Sequence, residues 1–458
     1  MPILKFGAKL LLFYERRNTF SMFYNINGHF FAFFLSISII FRTFALKISI
    51  NLIKTITMTT QEMNAAFEQA YGRKAEKMFF SPGRVNLIGE HTDYNGGCVF
   101  PCALSFGAWL LMSKNKDGVL RFKSLNMEQT YSIPISEIRP QADRAWCNYA
   151  LGCIDIIARR HPEAKLESGY DLLYYGNVPA GAGLSSSAAM EVVTARAFTE
   201  EMMKGLVDEW MSGPESEKKY RTELAPIGQA CEHEYAGVMC GVMDQFASAQ
   251  GKKDHAIYLN CDTLEFEHVP VKLEGIKVVI SNTHSPHHLD SGAYNDRVRQ
   301  CHTAVEQISK VKPIKFLAEL SEEDWAQVES AITDPIAKKR ARHVVGEVAR
   351  TAAAVEALKK GEIAYFGELM TASHVSLRDD YEVTGPELDA LAEAAWQVEG
   401  VLGSRMTGGG FGGCTVSLVK EEAIEHFKAF VGAEYEKKTG LKADFYVAEI
   451  GDGVTRLA

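Results

Sequence analysis

Apolar residues recur at helical spacing in several parts of the chain, and these segments predict helices. The predicted helices cover residues 58–70, 146–160, 186–204, 224–236, much of 321–402, and 421–435. Shorter apolar or alternating runs predict strands in EKMFFSPGRVNLIGE, GGCVFPCALSFGAWLLMSK, RFKSLN, QTYSIPI, GYDLLYYGNVP, AIYLNCDT, IKVVISNT, CTVSLV and ADFYVAEI. The charge-rich segment GPESEKKYRTE, before the fourth helix, predicts an exposed turn. Because strands and helices mix without a regular strand–helix–strand rhythm, the pattern favours an α+β fold in two domains.

The first 57 residues differ in charge from the remainder. They carry seven Lys or Arg and one Glu, a net charge of +6, which leaves −15 for residues 58–458 out of the overall −9. Their apolar run FFAFFLSISIIF is shorter than the ~20 residues that a membrane-spanning helix needs. A signal or anchor and an ordered extension both stay open, but we favour a native start at Met58. We therefore expect residues 1–57 to be a non-native or disordered extension, 58–280 an N-terminal domain and 281–458 a C-terminal domain.

Charge and cysteine usage exclude several classes of function. An acidic body argues against a general nucleic-acid-binding surface. The nine cysteines form no C-x-x-C pair, so neither a disulfide framework nor a zinc knuckle is predicted. Unpaired thiols are typical of a reducing compartment, and we expect a cytoplasmic protein that binds neither nucleic acid nor membrane.

A glycine- and serine-rich turn lies between a predicted strand and a predicted helix, in GNVPAGAGLSSSAAMEV, residues 176–192. Small residues let backbone amides approach a ligand, and the helix start offers free N–H groups and the positive end of the helix dipole. This arrangement predicts a phosphate-binding loop, although the lysine of a Walker A motif is missing. A plain tight turn with a serine cap is the alternative.

Charged residues crowd into the second informative stretch, SPGRVNLIGEHTDYNGG, residues 81–97. Arg84, Glu90, His91 and Asp93 lie there among glycines, in a combination that can bind several sugar hydroxyls. A solvated turn with a local ion pair is the alternative.

Isolated carboxylates and imidazoles give weaker signals. Asp244 lies in apolar surroundings within CGVMDQFASAQG and is either an ion-paired group or an acid–base residue. Glu232 and Glu234 upstream could bind a hard cation such as Mg²⁺, although each alone is more typical of a surface carboxylate. In THSPHHLD, the three histidines lack a fourth ligand at zinc-like spacing, so a polar loop is favoured over a metal site.

Five glycines lie in the six positions from Gly408 to Gly413, and three of them satisfy the dinucleotide fingerprint G-x-G-x-x-G. That fingerprint requires a helix directly after the loop. Here the loop is followed by CTVSLV, which predicts a strand. A dinucleotide role is therefore not favoured.

Taken in order, three of these stretches resemble the motifs of the GHMP sugar and isoprenoid kinases. PGRVNLIGEHTDYN is similar to the galactokinase signature, PAGAGLSSSAA to the family's phosphate loop, and MTGGGFGGC to its third motif. The resemblance covers residues 60–458. It implies a two-domain GHMP kinase fold, in which an N-terminal α/β domain like domain 2 of ribosomal protein S5 meets a ferredoxin-like α+β domain. The active site would lie in the cleft between them, closed by the Gly-rich loop 407–413.

The resemblance also implies an activity, namely the ATP- and Mg²⁺-dependent phosphorylation of the anomeric hydroxyl of D-galactose to galactose 1-phosphate, the first committed step of galactose catabolism. The partners would be the small molecules galactose and ATP, and the chain would act as a monomer. A related kinase for N-acetylgalactosamine or arabinose and a non-catalytic galactose sensor are the alternatives.

Residue roles follow from the same resemblance. Asp244 would accept or orient the proton of the sugar hydroxyl, with Arg84 as the cation beside it. The galactose-binding residues would be Glu90, His91, Thr92, Asp93 and Tyr294. The nucleotide would contact Gly181, Ala182, Gly183, Leu184, Ser185, Ser186, Ser187 and, more weakly, Ser124. Ser187 and Glu232 would bind Mg²⁺. Family members often carry acidic or serine residues before the tyrosine, where this chain has Gly292 and Ala293.

Overall fold

The computed structural model describes residues 58–141, 145–179, 182–285 and 291–458. The prediction for residues 1–57 lies outside the described residues. Residues 60–458 group into one compact unit, so the division into two domains at 280/281 stays a prediction. No helix within the described ranges is both long and apolar enough to cross a bilayer.

The strands form three sheets. In chain order they are β1 (Lys77–Asn86), β2 (Cys98–Val99), β3 (Pro101–Asn115), β4 (Val119–Ser124), β5 (Tyr131–Pro134), β6 (Gly169–Gly176), β7 (His255–Asn260), β8 (Phe266–Pro270), β9 (Ile276–Asn282), β10 (Val401–Thr407), β11 (Cys414–Lys420), β12 (Asp444–Ala448) and β13 (Thr455–Arg456). The first sheet has the order β13-β1-β3-β6-β4-β5, the second β10-β11-β9-β12 and the third β2-β7-β8.

The helices, also in chain order, are α1 (Thr60–Tyr71), α2 (Asn148–Arg160), α3 (Ser186–Met202), α4 (Lys204–Trp210), α5 (Pro214–Cys231), α6 (Met243–Gln250), α7 (Ser291–Ile308), α8 (Glu322–Val328), α9 (Pro335–Lys360), α10 (Ile363–Ser376), α11 (Gly385–Trp396) and α12 (Ile424–Thr439). The mixture of helices and antiparallel strands confirms the predicted α+β class.

The first sheet is mixed: β4 and β6 run parallel, while β1, β3 and β6 pair antiparallel. One face of it packs on α2, α3 and α5, where side chains such as Phe122, Leu172 and Phe198 have no exposed surface. Burying each side chain of this kind contributes ~1.5–3 kcal/mol relative to leaving it exposed. The apolar positions of strand and helix thus meet in one core, which holds β1 rigidly beside the start of α3.

The second sheet is wholly antiparallel, and its strands follow one another as strand, helices, strand, strand, helix, strand. With β9 in the interior, this is the ferredoxin-like topology that the family resemblance implied. The strand β9 carries a continuous apolar run, and Val279 packs with Phe427, Val431 and Tyr435 of α12. The boundary predicted between residues 280 and 281 falls inside this strand.

The helix predicted over residues 224–236 is wrong at both ends. The α-helix begins at Pro214, so the segment predicted as an exposed turn is its first half. The α-helix ends at Cys231. The physical reason is visible in the sequence, since Pro at the first position and Glu215 and Glu217 in the first turn are signals of a helix start. Residues Glu232–Ala236 instead form a single π-helical turn.

Three elements near the site were not predicted as such. They are α6, α7 and β10, of which β10 replaces the end of the region expected to be helical. The strand β10 leads into the Gly-rich loop, and α6 carries Asp244 in its first turn.

Candidate active site

Arg84 and Asp244 form a bidentate ion pair at the centre of the candidate site. The guanidinium Nε donates to Oδ1 of the aspartate at 2.8 Å, and Nη2 donates to Oδ2 at 2.7 Å. The Arg84 side chain is only 4% exposed, whereas that of Asp244 is 31% exposed. The carboxylate therefore faces the open side of the pair, with a fixed orientation that two parallel charge-assisted hydrogen bonds impose.

The predicted phosphate loop is bonded to the same arginine. Arg84 Nη1 donates to the carbonyl oxygen of Gly183 at 2.7 Å, and the Arg84 backbone N–H donates to that of Leu184 at 3.2 Å. A Cβ at Gly83 would lie 2.5 Å from the Leu184 oxygen, so this approach requires glycine. Within the loop, Ala182 and Leu184 are buried, while Gly181 lies outside the described residues.

Ser185 connects the loop to the aspartate directly. Its hydroxyl donates to Asp244 Oδ2 at 2.6 Å, a contact that the sequence did not predict. The residue has the left-handed conformation, with φ of 60°, and its side chain does not cap α3. The amides of the first turn of α3, where exposed Ser186 and half-buried Ser187 lie, thus have no side-chain cap. Such an N-terminus attracts an anion.

Glu232 lies within hydrogen-bonding reach of Ser187. Burial raises the pKa of Glu232 to about 7, the Ser187 hydrogen bond lowers it, and the charge of Asp244 raises it. In the described ranges no three His, Cys, Asp or Glu side chains cluster into a metal-binding group. Mg²⁺ commonly takes one or two protein oxygens and completes its shell with phosphate and water. Ser187 and Glu232 fit that pattern. They supply one hydroxyl and one carboxylate oxygen, and a bound cation would offset the cost of burying the Glu232 charge.

The loop after β1 holds the predicted sugar-binding run. Glu90 is 1% exposed, and its Oε1 accepts the Gly408 N–H at 2.8 Å. His91 has φ of 62°, and its Nδ1 lies 2.9 Å from the Tyr94 hydroxyl. Burial lowers the pKa of His91 well below its usual range, which leaves the ring neutral near pH 7. The Thr92 hydroxyl lies 2.8 Å from the Cys98 carbonyl oxygen, so this side chain closes the loop on itself.

Asp93 and Tyr294 are the remaining members of the predicted sugar-binding set. Burial, and then the charge of Asp244, raise the pKa of Asp93 to about 7. A Cβ at Gly241 would lie 2.1 Å from Asp93 Oδ2, so only a glycine at this position leaves room for the carboxylate. The Tyr294 ring, on α7, is 5.7 Å from the His91 ring between centroids. The structure therefore brings four predicted sugar-binding residues, Glu90, His91, Asp93 and Tyr294, into one neighbourhood.

The Gly-rich loop joins β10 to β11, two antiparallel neighbours, so the predicted strand after the glycines is confirmed. No helix opens at this loop, and the dinucleotide interpretation has no structural basis. Gly408 has φ of 88°, and a Cβ there would lie 2.9 Å from the Gly183 carbonyl oxygen. The Gly-rich loop thus lies against the phosphate loop, and a Cβ at Gly409 would lie 3.4 Å from the Tyr294 ring.

Ser124 and His284 lie apart from this cluster. The Ser124 hydroxyl accepts the Asn126 N–H at 3.1 Å, and the Asn126 side chain bonds to the backbone of Gly176, where β6 leaves the sheet. Ser124 is therefore beside the strand end that leads into the phosphate loop. His284 pairs with Asp444 at 2.8 Å, and the other two histidines of THSPHHLD lie outside the described residues.

Sequence reasoning missed the residues that hold the sugar loop from behind. Glu347 accepts the backbone N–H groups of Gly89 at 3.0 Å and Glu90 at 3.3 Å, and His343 Nε2 lies 3.1 Å from the Glu90 carbonyl oxygen. Arg405, with no exposed surface, lies 3.3 Å from Glu90 Oε1. The sequence carries one signal for this, since Arg405 lies directly before the Gly-rich motif and is the only charged residue of β10.

Profiles of known families match three parts of the chain. The galactokinase galactose-binding signature matches residues 65–114, the GHMP kinase N-terminal domain residues 148–252, and the GHMP kinase C-terminal domain residues 354–437. These ranges contain the sugar loop, the phosphate loop with Asp244, and the Gly-rich loop with Arg405 before it.

Whole-chain relatives extend this likeness. A galactokinase of Bacillus subtilis is 42% identical over 400 residues, 87% of this chain and 99% of that protein. The crystal structure of Lactococcus lactis galactokinase complexed with galactose superposes with a TM-score of 0.80 at 40% identity, over 86% of this chain and 99% of that one. Mevalonate kinase of Methanococcus jannaschii, at 17% identity and a TM-score of 0.55 over 82% of this chain and 98% of that one, shares the fold. A galactokinase of Fusobacterium nucleatum is 47% identical over 84% of this chain and 96% of its own length, and on these grounds the chain belongs to the galactokinase family and has the two-domain GHMP kinase fold.

Proposed function

We propose that this chain transfers the terminal phosphoryl group of ATP to the anomeric hydroxyl of D-galactose, giving galactose 1-phosphate. The observation that carries this proposal is the ion pair of Arg84 and Asp244, set against the uncapped start of α3. A sugar hydroxyl at the aspartate and a nucleotide phosphate at the helix start would then be neighbours, as phosphoryl transfer requires.

Asp244 is proposed to bind the proton of the attacking hydroxyl. Its Oδ2 already accepts two hydrogen bonds, from Arg84 Nη2 and Ser185 Oγ, whereas Oδ1 accepts one, from Arg84 Nε. Oδ1 therefore has the greater remaining capacity to accept a hydrogen bond from the sugar. Arg84 would fix the carboxylate and stabilise negative charge on the transferring group.

The nucleotide phosphates are proposed to bind residues 181–187, with Ser124 near the same strand end. Support comes from the uncapped amides of α3 and from the backbone of Gly183 and Leu184, which is held in place by Arg84. Anion binding at such a helix start follows from its free N–H groups and dipole.

Mg²⁺ is proposed to bind Ser187 and Glu232, the latter as a buried carboxylate. When bound, the ion would neutralise charge on the phosphate oxygens. The two residues themselves offer one hydroxyl, in the first turn of α3, and one carboxylate, directly after α5.

Galactose is proposed to bind between Glu90, His91, Asp93 and Tyr294, with Thr92 shaping the loop. A neutral imidazole and a carboxyl group each accept or donate hydrogen bonds to sugar hydroxyls, and the tyrosine ring offers an apolar wall. The site would lie between domains 58–280 and 281–458, closed by the loop 407–413.

We further propose a cytoplasmic monomer. The nine cysteines all lie in the described part of the chain and are free thiols, which supports a reducing compartment. Light scattering on the purified protein tests the oligomeric state.

The experiment is an ADP-release assay with galactose, N-acetylgalactosamine and arabinose, combined with the variant Asp244→Asn. We expect turnover on galactose, lost in Asp244→Asn while calorimetry still detects galactose binding. Asp208→Asn, which changes an exposed aspartate on α4, is the charge-matched control and should keep full activity. Turnover retained by Asp244→Asn would remove the role of that residue. Galactose binding without ADP release by the parent would identify a sensor.

A further inference from the structure

Two buried polar side chains meet directly behind Asp244. Glu191 lies on α3, one helical turn after Ser187, and has no exposed surface. Gln245 follows Asp244 on α6 and is 1% exposed. The Gln245 amide Nε2 donates to Glu191 Oε2 at 2.9 Å.

The second polar atom of each side chain lacks a partner. Glu191 Oε1 and Gln245 Oε1 are both buried and accept no hydrogen bond from any described residue. Both atoms are acceptors when the glutamate is ionised, and each would then cost ~1–3 kcal/mol as a buried unsatisfied group. A single proton on Glu191 Oε1 would give both atoms a hydrogen-bond partner. The acid could then donate from Oε1 to Gln245 Oε1 while its Oε2 accepts from Nε2.

The charges around the pair favour the same state. In the described ranges Glu191 has no ion pair with Lys, Arg or His, and a buried carboxylate without a cation is neutral. Burial, followed by the charge of Glu232, raises the pKa of Glu191 well above its usual range. The charge of Asp244 also disfavours ionisation there.

A glycine on a third helix fixes the space for the pair. A Cβ at Gly228 of α5 would lie 2.7 Å from Gln245 Cγ and 3.2 Å from Glu191 Oε2. The three helices therefore meet at the pair with no room for another side chain. Any displacement of Gln245 would be transmitted to the first turn of α6, where Asp244 stands.

We infer that Glu191 is a positioning residue, a neutral acid in reciprocal hydrogen bonding with the Gln245 amide, which fixes α6 against α3 so that Asp244 meets the sugar hydroxyl. The inference rests on the proposed function of Asp244. The neutral state also keeps a further negative charge away from the place where Glu232 and the ATP phosphates would meet.

The test compares Glu191→Gln and Glu191→Met in the full chain. Glu191→Gln can keep both hydrogen bonds, since its amide donates to Gln245 Oε1 and accepts from Nε2. We expect it to keep kcat within about threefold of the parent. Glu191→Met has a similar length but no hydrogen bonds. We expect it to lower kcat by roughly tenfold or more, with an unchanged Kd for galactose.

Infrared difference spectra between parent and Glu191→Gln test the protonation state without any need for activity. The parent should show the C=O stretch of a protonated carboxylic acid that the variant lacks, and absence of this band overturns the neutral state. An unchanged kcat in folded Glu191→Met, or an equal loss in Glu191→Gln, overturns the positioning role. If Glu191→Met does not fold, Gln245→Met carries the same kcat test. A parent that shows the band but does not phosphorylate galactose would refute the proposed function and leave the acid–amide pair standing.

Discussion

Removal of the Ser185 hydroxyl isolates one contact to the proposed catalytic carboxylate. In Ser185→Ala, Asp244 Oδ2 loses the 2.6 Å hydrogen bond and keeps the one from Arg84 Nη2. Ser185 is 7% exposed, so bulk water has little access to replace the lost donor. Alanine and serine meet the same steric cost at φ of 60°, and the substitution therefore changes the hydroxyl alone.

The expected loss follows from the charge on the acceptor. A hydrogen bond to an ionised group contributes ~1.5–3 kcal/mol, and each 1.36 kcal/mol of activation free energy changes the rate about tenfold. If the bond serves to orient Asp244 for the attacking hydroxyl, kcat should fall roughly ten- to a hundredfold. The KM for galactose should change little, because Ser185 lies on the phosphate-loop side of the aspartate.

Steady-state ADP release gives kcat and KM, and calorimetry gives the affinity for galactose. Ser186→Ala removes the neighbouring hydroxyl, which is exposed, and controls for the loss of a serine at the helix start. Ser185→Gly lacks the hydroxyl too but relieves the left-handed backbone, so it separates the two effects. A kcat for Ser185→Ala within about twofold of the parent would show that the hydroxyl does not orient Asp244.

Two further substitutions test the surroundings of the pair. The pKa of Asp93 is raised to about 7 from 3.8 in the folded chain, so its stabilising effect is full below the unfolded value and lost as the pH rises through 7. Asp93→Asn should therefore raise the Tm at about pH 8 and change it little near pH 4, and an equal shift at both pH values in thermal unfolding would contradict this. In Gly408→Ala the new Cβ would lie 2.9 Å from the Gly183 carbonyl oxygen, against 3.4 Å from a movable Tyr294 ring in the control Gly409→Ala. Gly408→Ala should lose most of its kcat/KM for ATP and Gly409→Ala much less, and similar kinetics for both would remove the contact between the loops from the mechanism.

Local patterns were sufficient for the elements that carry the motifs. The strand β1, the turn after β6 and the start of α3 at Ser186 all follow the predicted order, because strand and helix periodicity and the small residues of the turn are properties of neighbouring positions. The strand after the Gly-rich loop followed in the same way, and its prediction argued against the dinucleotide interpretation.

The elements that were missed depend on signals of another kind. The first half of α5 is polar and charged, and it is helical because of its Pro214 start and its acidic first turn, not because of an apolar stripe. The helix α6 has only eight residues, too few to show a period. Its role as the carrier of Asp244 depends on packing against α3 and α5, which no local window contains.

Contacts between residues far apart in sequence could not be predicted either, because no local window contains both partners. The bidentate pair joins residues 84 and 244, and Glu347 bonds to the backbone of Gly89 across more than half of the chain. Chemistry alone left both roles open, with Arg84 in a sugar-binding combination or a local ion pair and Asp244 as an ion-paired or acid–base residue. Only the resemblance to a family joined the two. Arg405 and Glu347 entered no motif. The position of Arg405 before the Gly-rich loop was a signal, but no local pattern joins it to Glu90.

The contacts that Arg405 and Gly408 make with Glu90 explain why the sugar loop needs both halves of the fold. Glu90 is buried, and burial raises the pKa of its carboxyl while Arg405 and Arg84 lower it. Arg405 and the Gly408 N–H both come from β10 and the loop after it. A buried ion pair that loses one partner leaves an uncompensated charge, at a cost of ~3–5 kcal/mol. Residues 58–280 alone would keep Arg84 but lose Arg405 and the Gly408 N–H, and they should therefore not hold the sugar loop in its present form. The sugar site is thus a property of the assembled fold, although its signature motif lies wholly within the first hundred residues.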